Sequence, residues 1–312
     1  NRTPERGGDP DKLEPRYIRV QRLLRLRPAA SVRVMTERNS KNPNVTAYPL
    51  MACAALFWAG NIVVARAFHA DVPPVGLSFW RWILAFALFL PFSLALTRRQ
   101  FPLIRMHWRW LVGLGLLGGT VFHTFLYVAL NTTTALNAAL IYAMTPALVP
   151  VIARFLLGDR LHLLQGAGTL LSLGGVAIVV ARGDIDTLRQ MQFTDGDIWM
   201  VGAVIAWAFY SVLIKRKPAA MHPNTMLTAM MVMAVLMTLP LYLWEHMTIR
   251  VMPVTIDAVA VVGYVAVFAS IAAYICYNRA IALVGPSKTA LTAHMLPAFA
   301  AILSVALLGE TL

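Results

Sequence analysis

The chain has 312 residues, of which 59% are hydrophobic and 13% charged, and its formal net charge is +13. A soluble domain carries about 25% charged residues, so the composition excludes an ordinary soluble enzyme or binding module and places the chain in the membrane class. The basic excess then records topology, because cytoplasmic loops collect Lys and Arg, and it does not point to nucleic acid.

Residues 1–46 form a polar, basic head with eleven Lys/Arg and five Asp/Glu. The head has no apolar run long enough for a signal peptide, and Glu5, Asp9, Asp11 and Glu14 argue against a transit peptide. The first Met is Met35. Residues 1–34 therefore read as an upstream extension of a protein that starts at Met35, with a basic tail near anionic lipid as the alternative. Disorder is expected in either case.

Apolar runs long enough to cross a bilayer fall near 47–66, 73–96, 108–130, 134–157, 162–181, 197–215, 223–244, 255–278 and 286–308. They do not alternate, so they predict helices and an all-α membrane protein. With the N-terminus inside, the inside loops hold Arg98, Arg99, Arg105, Arg109, Arg154, Arg160, Lys215, Arg216, Lys217, Arg279 and Lys288. The outside loops hold Asp71, Asp184, Asp186, Asp195, Asp197 and Glu245 with only Arg182, Arg189 and Arg250. This bias predicts a cytoplasmic N-terminus.

The segment MTPALVPVIARFLLGDRL (144–161) returns at the end of the chain as MLPAFAAILSVALLGETL (295–312). A shift of 151 positions aligns Pro146 with Pro297, Gly158 with Gly309 and Asp159 with Glu310, without a gap. FWAGNIVVAR (57–66) likewise faces AWAFYSVLIK (206–215), aligning Trp58 with Trp207. The first repeat is thus predicted at 47–182 and the second at 197–312, joined by an extracytoplasmic connector at 183–196. Nine helices are expected, and the partner of the fifth would be a tenth after Leu312. Five helices per repeat give the halves opposite orientations, an arrangement used by transporters that bind substrate between the halves.

On these motifs the chain resembles the drug/metabolite transporter superfamily and its EamA-type exporters, and within them the YddG-type amino-acid exporters. FWRWILAFALFL on the second span and the LLGDRL and LLGETL closures carry the likeness over about residues 47–312. The resemblance implies a ten-helix bundle, a central cavity between inverted repeats, alternating access, and export of amino acids or small metabolites.

Several residues are candidates for the site. On the third span, Thr120, His123, Thr124, Tyr127 and Asn131 form one polar stripe. A stripe of this kind faces either a cavity or buried interhelical hydrogen bonds. Trp58 and Asn61 on the first span, Trp207 and Tyr210 on the sixth and Tyr274 on the eighth are further candidates; the aromatic ones could stack on a substrate or hold an ammonium by cation–π attraction, with packing as the alternative. Arg81, two turns into the second span, must snorkel outward or find a partner. It and Lys288 are candidates either for a carboxylate or for structure. His123 and His294 are candidate proton relays, and Pro146 and Pro297 candidate hinges. Trp80, Trp82, Trp108 and Trp110 read as interface anchors.

GLGLLG (113–118) matches a dinucleotide motif but lies inside an apolar span, so Gly115 and Gly119 read as a close-packing pair. Cys53 and Cys276 read as small hydrophobes, and no metal or cofactor is expected. No Asp or Glu is expected within a span, which argues against carboxylate-based proton coupling and favours a neutral or zwitterionic substrate. An enzyme is not expected, since no nucleophile–base pair or ligand cluster stands out. The expected function is secondary export of aromatic or other apolar amino acids, or similar metabolites, across the inner membrane. Drugs, nucleotide sugars, or a sensor or scaffold role remain alternatives. The expected partners are a small-molecule substrate and membrane lipid, without nucleic acid, and the chain could be monomeric or homodimeric.

Overall fold

The computed structural model describes residues 43–158 and 194–308, together with 166–168, 170, 171 and 174. Residues 1–42 of the polar head, most of the fifth expected span and residues 183–193 of the connector lie outside the described residues, while 44–46 and 195–196 belong to helices and not to a tail or a connector. Within them the chain is helical, with no strand. Eight helices are long and apolar enough to cross a membrane: α1 Asn44–Ala67, α2 Pro74–Arg99, α3 Trp108–Ala129, α4 Ala135–Leu157, α5 Asp195–Ile214, α6 Pro223–Thr248, α7 Ile256–Val284 and α8 Pro286–Leu307. At about 1.5 Å per residue the shortest reaches about 30 Å, the thickness of a hydrocarbon core.

Local chemistry starts and stops these helices. α2 and α6 each begin on a proline, which has no N–H to leave unsatisfied. Thr134 accepts the Asn137 amide at 3.1 Å to cap α4, and Thr255 accepts the Ala258 amide at 3.2 Å to cap α7. Asp197 in the first turn of α5 accepts the Thr194 amide at 2.8 Å. Gly158 and Gly285, with φ of 73° and 82°, end α4 and α7 in a conformation that costs other residues more.

Hydrogen bonds between helices fix their directions. Call the end at which α1 begins the near end. Arg66, at the far end of α1, donates to the Leu130 carbonyl at 2.7 Å. Asp197 at the start of α5 accepts from Thr133 at 2.5 Å, and Trp110 at the start of α3 donates to Leu213 at the close of α5. So α3 runs from near to far and α5 from far to near, opposite to α1. In the same way α2 and α6 are antiparallel. Glu245 meets Val75 and Gly76 at the far end, and Gln100 meets Ala220 and His222 at the near end. The helices α1–α4 and α5–α8 are therefore the inverted halves that the sequence repeat predicts.

Two features depart from regular α-helix, and the first was not expected from the sequence. Gly115–Val121 in α3 and Val265–Ala272 in α7 are wound as π-helix, at equivalent places in the two halves. The α-helical hydrogen bonding of α4 is interrupted at Ala143–Met144, and Pro146 opens the segment that follows. That of α8 is interrupted at Ala290–Leu291, with Pro297 inside the later segment.

One correction concerns acids. Glu245 was expected in a loop, but α6 continues to Thr248 and the residue is 3% exposed. Its carboxylate accepts the amides of Val75 at 3.0 Å and Gly76 at 2.6 Å. Those amides belong to the first turn of α2, where the partial positive charge of the helix end stabilises an anion.

Candidate functional site

Where the halves meet, their aromatic residues form one cluster. Trp58 of α1 and Trp207 of α5 touch edge to face, with ring centroids 5.0 Å apart at 83°. Tyr277 lies 5.0 Å from Trp58, Tyr210 lies 4.8 Å from Trp207, and Tyr274 contacts Trp58, Trp207 and Tyr210. Phe122 and Tyr142 also contact Trp207. All of these are buried. A void of ≈10 Å³ lies against Trp58, Asn61, Phe122 and Tyr142, room for about one water.

The polar stripe of α3 faces protein. Thr120 bonds Thr238 at 3.0 Å, and Thr124 donates to Ser78 at 3.5 Å. Tyr127 donates to Asn61 at 2.8 Å. His123 Nδ1 contacts the Gly119 carbonyl at 3.2 Å, while its Nε2 has no partner. Asn131 bonds the carbonyls of its own helix.

Arg81 is wholly buried and does not reach an interface. Its Nε donates to Ser270 at 2.8 Å and its Nη1 to the Tyr127 hydroxyl at 2.5 Å. The guanidinium carbon lies 5.1 Å from the Trp82 ring centroid and 5.8 Å from that of Tyr127. Nη2 has no partner. The structure thus joins Trp58, Asn61, Arg81, His123, Tyr127, Trp207, Tyr210 and Tyr274 in one region.

Other candidates lie elsewhere. Lys288 is exposed in the first turn of α8 and is not part of this cluster. His294 is half-buried, with both ring nitrogens unpartnered. Trp82 is a correction: it is not an interface anchor but fully buried, donating to the Gly119 carbonyl at 3.0 Å. Trp80 and Trp108 are exposed, as anchors should be. Ser270 and Tyr277 of α7 also belong to the region. Their partners, Arg81 and Ser211, lie 189 and 66 residues away, a distance at which periodicity carries no signal.

A cavity opens toward each end. At the near end, ≈390 Å³ is lined by Lys215, Lys217, Met226, Asn278 and Ile281. At the far end, ≈280 Å³ is lined by Phe68, Asp71, Thr255 and Asp257. Burial pushes the Lys217 ammonium below the usual lysine range. Burial, and then the charge of Lys217, lower the neighbouring His222 imidazole.

Residues 45–181 and 194–312 match the EamA-like transporter family. The chain belongs to that family. Its two matched segments cover most of the sequence, and such relatives are named as transporters, not enzymes. The EamA-type chain is 25% identical over 259 residues to the uncharacterized transporter YyaM of Bacillus subtilis, covering 83% of this chain and 85% of that protein. It is 27% identical to the uncharacterized inner membrane transporter YedA of Escherichia coli K12, covering 82% and 81%. It is 26% identical to the aromatic amino acid exporter YddG of Ancylobacter novellus, but over 164 residues, 52% of this chain and 56% of that one. A solved crystal structure of another protein shares the fold, with a TM-score of 0.61 and 22% identity over 86% of this chain and 90% of that chain. The EamA-type chain is therefore an integral, multi-pass membrane transporter.

Proposed function

We propose that the chain is a secondary exporter of amino acids, aromatic or other apolar ones first. It works by alternating access, with its N-terminus on the cytoplasmic side of the inner membrane. The observation that carries this reading is the aromatic cluster in which Trp58 and Trp207, equivalent residues of the two halves, meet between a cavity at the near end and a cavity at the far end. Opening the cluster to one cavity while keeping the other shut is alternating access, and its rings suit an apolar or aromatic side chain. The similarity to an aromatic amino acid exporter supports the substrate class. The Lys and Arg of the near-end loops support a cytoplasmic near end.

The gradient of the substrate itself drives this exporter, and His123 serves the substrate and not a proton relay. The test is counterflow of a labelled amino-acid panel into preloaded liposomes, with no pH gradient. Saturable accumulation is expected, and Trp58→Ala and His123→Ala should reduce it. Absence of accumulation for every amino acid, from protein shown to be folded, overturns the reading.

A further inference from the structure

A guanidinium buried among membrane helices needs a reason. Five acids lie among the described residues, and none pairs with Arg81. Asp71 and Asp257 are exposed at the far end, and so is Asp195 at the start of α5. Asp197 is committed to Thr133 and Thr194, and Glu245 to the α2 amides. Arg81 is left with two hydroxyl oxygens and one unpartnered nitrogen. An uncompensated buried charge is costly.

The fold does not require that charge. A shift of 149 aligns the prolines that open α2 and α6, Pro74 with Pro223, and those inside them, Pro91 with Pro240. The same shift places Met230 where Arg81 stands. Met230 is also fully buried. One half fills this place with a thioether, so the cation serves something that the shared framework does not.

A second orphan lies near the same tyrosine, Tyr127. The Gly119 carbonyl can only accept, so neutral His123 must donate from Nδ1 and carry a lone pair on Nε2. A charged donor at Arg81 and an acceptor at His123 therefore both lie beside one tyrosine ring, at 5.8 and 6.2 Å from its centroid. The small central void is lined by neither residue but by neighbours of their partners. Its wall includes Asn61, the acceptor of Tyr127, and Trp58, whose indole donates to Ala269 beside Ser270.

We propose that Arg81 and His123 are the zwitterion seat of the carrier, with Arg81 Nη2 taking the substrate carboxylate and His123 Nε2 accepting from its ammonium. The seat rests on the exporter reading and narrows its substrates to free α-amino acids, excluding amine-only drugs.

The experiment is thermal unfolding of the purified full-length protein in detergent with phenylalanine, phenylalaninamide, 3-phenylpropionate or sodium chloride at equal millimolar concentration. Phenylalanine should stabilise most, 3-phenylpropionate less, and the amide and chloride not at all. The apparent affinity for phenylalanine should exceed that for the amide by at least about tenfold, as a charge-assisted contact would give. Arg81→Met should remove the preference for acid over amide, and Arg81→Lys should restore part of it. His123→Phe should remove the advantage of phenylalanine over 3-phenylpropionate.

Equal stabilisation by acid and amide in the unmodified protein overturns the seat, whether or not Arg81→Met folds. So does stabilisation by chloride equal to that by the acids, or none by either carboxylate. Counterflow separates the two readings. Acid-selective stabilisation without amino-acid transport keeps the seat and sinks the exporter, while transport without acid selectivity does the reverse.

Discussion

In the first half of the molecule the third helix passes its neighbours on glycine. In the second half the equivalent helix does so on valine and alanine. Gly115 and Gly119 lie against Met233 and Ala234 of α6, and Gly118 lies against the ring of Tyr210. The matching π segment of α7 buries Val265, Ala266 and Ala269. Both segments are π-wound, yet GLLGGTV and VAVFASIA have little in common. The difference extends to polar contacts. Tyr127 of α3 holds Arg81 and Asn61, whereas Tyr277, which follows the π segment of α7, bonds the neutral Ser211 hydroxyl at 2.9 Å. One backbone plan thus carries a buried guanidinium beside the tyrosine of α3 and a neutral hydroxyl beside that of α7, and the division of labour lies in side chains.

The largest expected effect tests the paired helices α2 and α6. Glu245→Ala orphans two amides in the first turn of α2 and should cost about 2–3 kcal/mol in unfolding from detergent. At the other end of the same pair Gln100 is half-buried, with its bonds at the exposed edge, and Gln100→Ala should cost under about 1 kcal/mol. Equal losses would mean that the two ends are clasped alike.

Overpacking comes next. A Cβ on Gly119 would lie 3.3 Å from the Cα of Ala234 and closer still to its Cβ, so Gly119→Val should cost about 1–3 kcal/mol. Gly263 in α7 faces open space, and Gly263→Ala should change stability by no more than about 0.5 kcal/mol. Thermal midpoints of the two variants would sharpen the contrast between the halves.

The tyrosines follow. Tyr127→Phe removes a bond to a charged group and should cost about 1.5 kcal/mol, with a raised KM in counterflow. Tyr277→Phe removes a neutral bond and should cost about 1 kcal/mol. A reversed order would mean that the bond to Arg81 adds nothing beyond a neutral one.

The exposed edges of the bundle and its spans are plain in the sequence, because a long apolar run has few ways to be satisfied in lipid. The repeat is plain as well, since Pro146, Pro297, Trp58 and Trp207 hold their spacing across about half the chain. The meeting of Trp58 with Trp207 follows from that symmetry. The partners of Arg81 do not, because Ser270 and Tyr127 reach it from two other helices. Glu245 was missed because a carboxylate after Trp244 looks like the end of a span until the amides it caps are seen. Trp82 looked like an anchor because its place near a helix start outweighed its neighbours, which only packing reveals.

The smallest effect tests the cap of α6 at the near end. His222 accepts the Asn224 amide through Nδ1 to cap α6, which requires a neutral ring. Its folded pKa lies below the ordinary 6.5, held down by burial and by Lys217. The cap is therefore fully present above about pH 6.5 and is lost as pH falls through the folded value. Thermal stability should drop between pH 7 and 5 by under about 1 kcal/mol, and His222→Asn should flatten that drop.

The π segments carry one more consequence. A π turn holds an extra residue relative to an α turn, and π segments are often single-residue insertions in a helix. Each residue of an α-helix turns the chain by about 100°. Deleting one residue from Gly115–Val121 would let the helix relax to α and swing everything after it by about that angle, turning His123 and Tyr127 away from Arg81 together. The same deletion in Val265–Ala272 would carry Tyr274 and Tyr277 off the tryptophans. The two segments act as the keyway of the carrier, setting which face of each third helix looks inward.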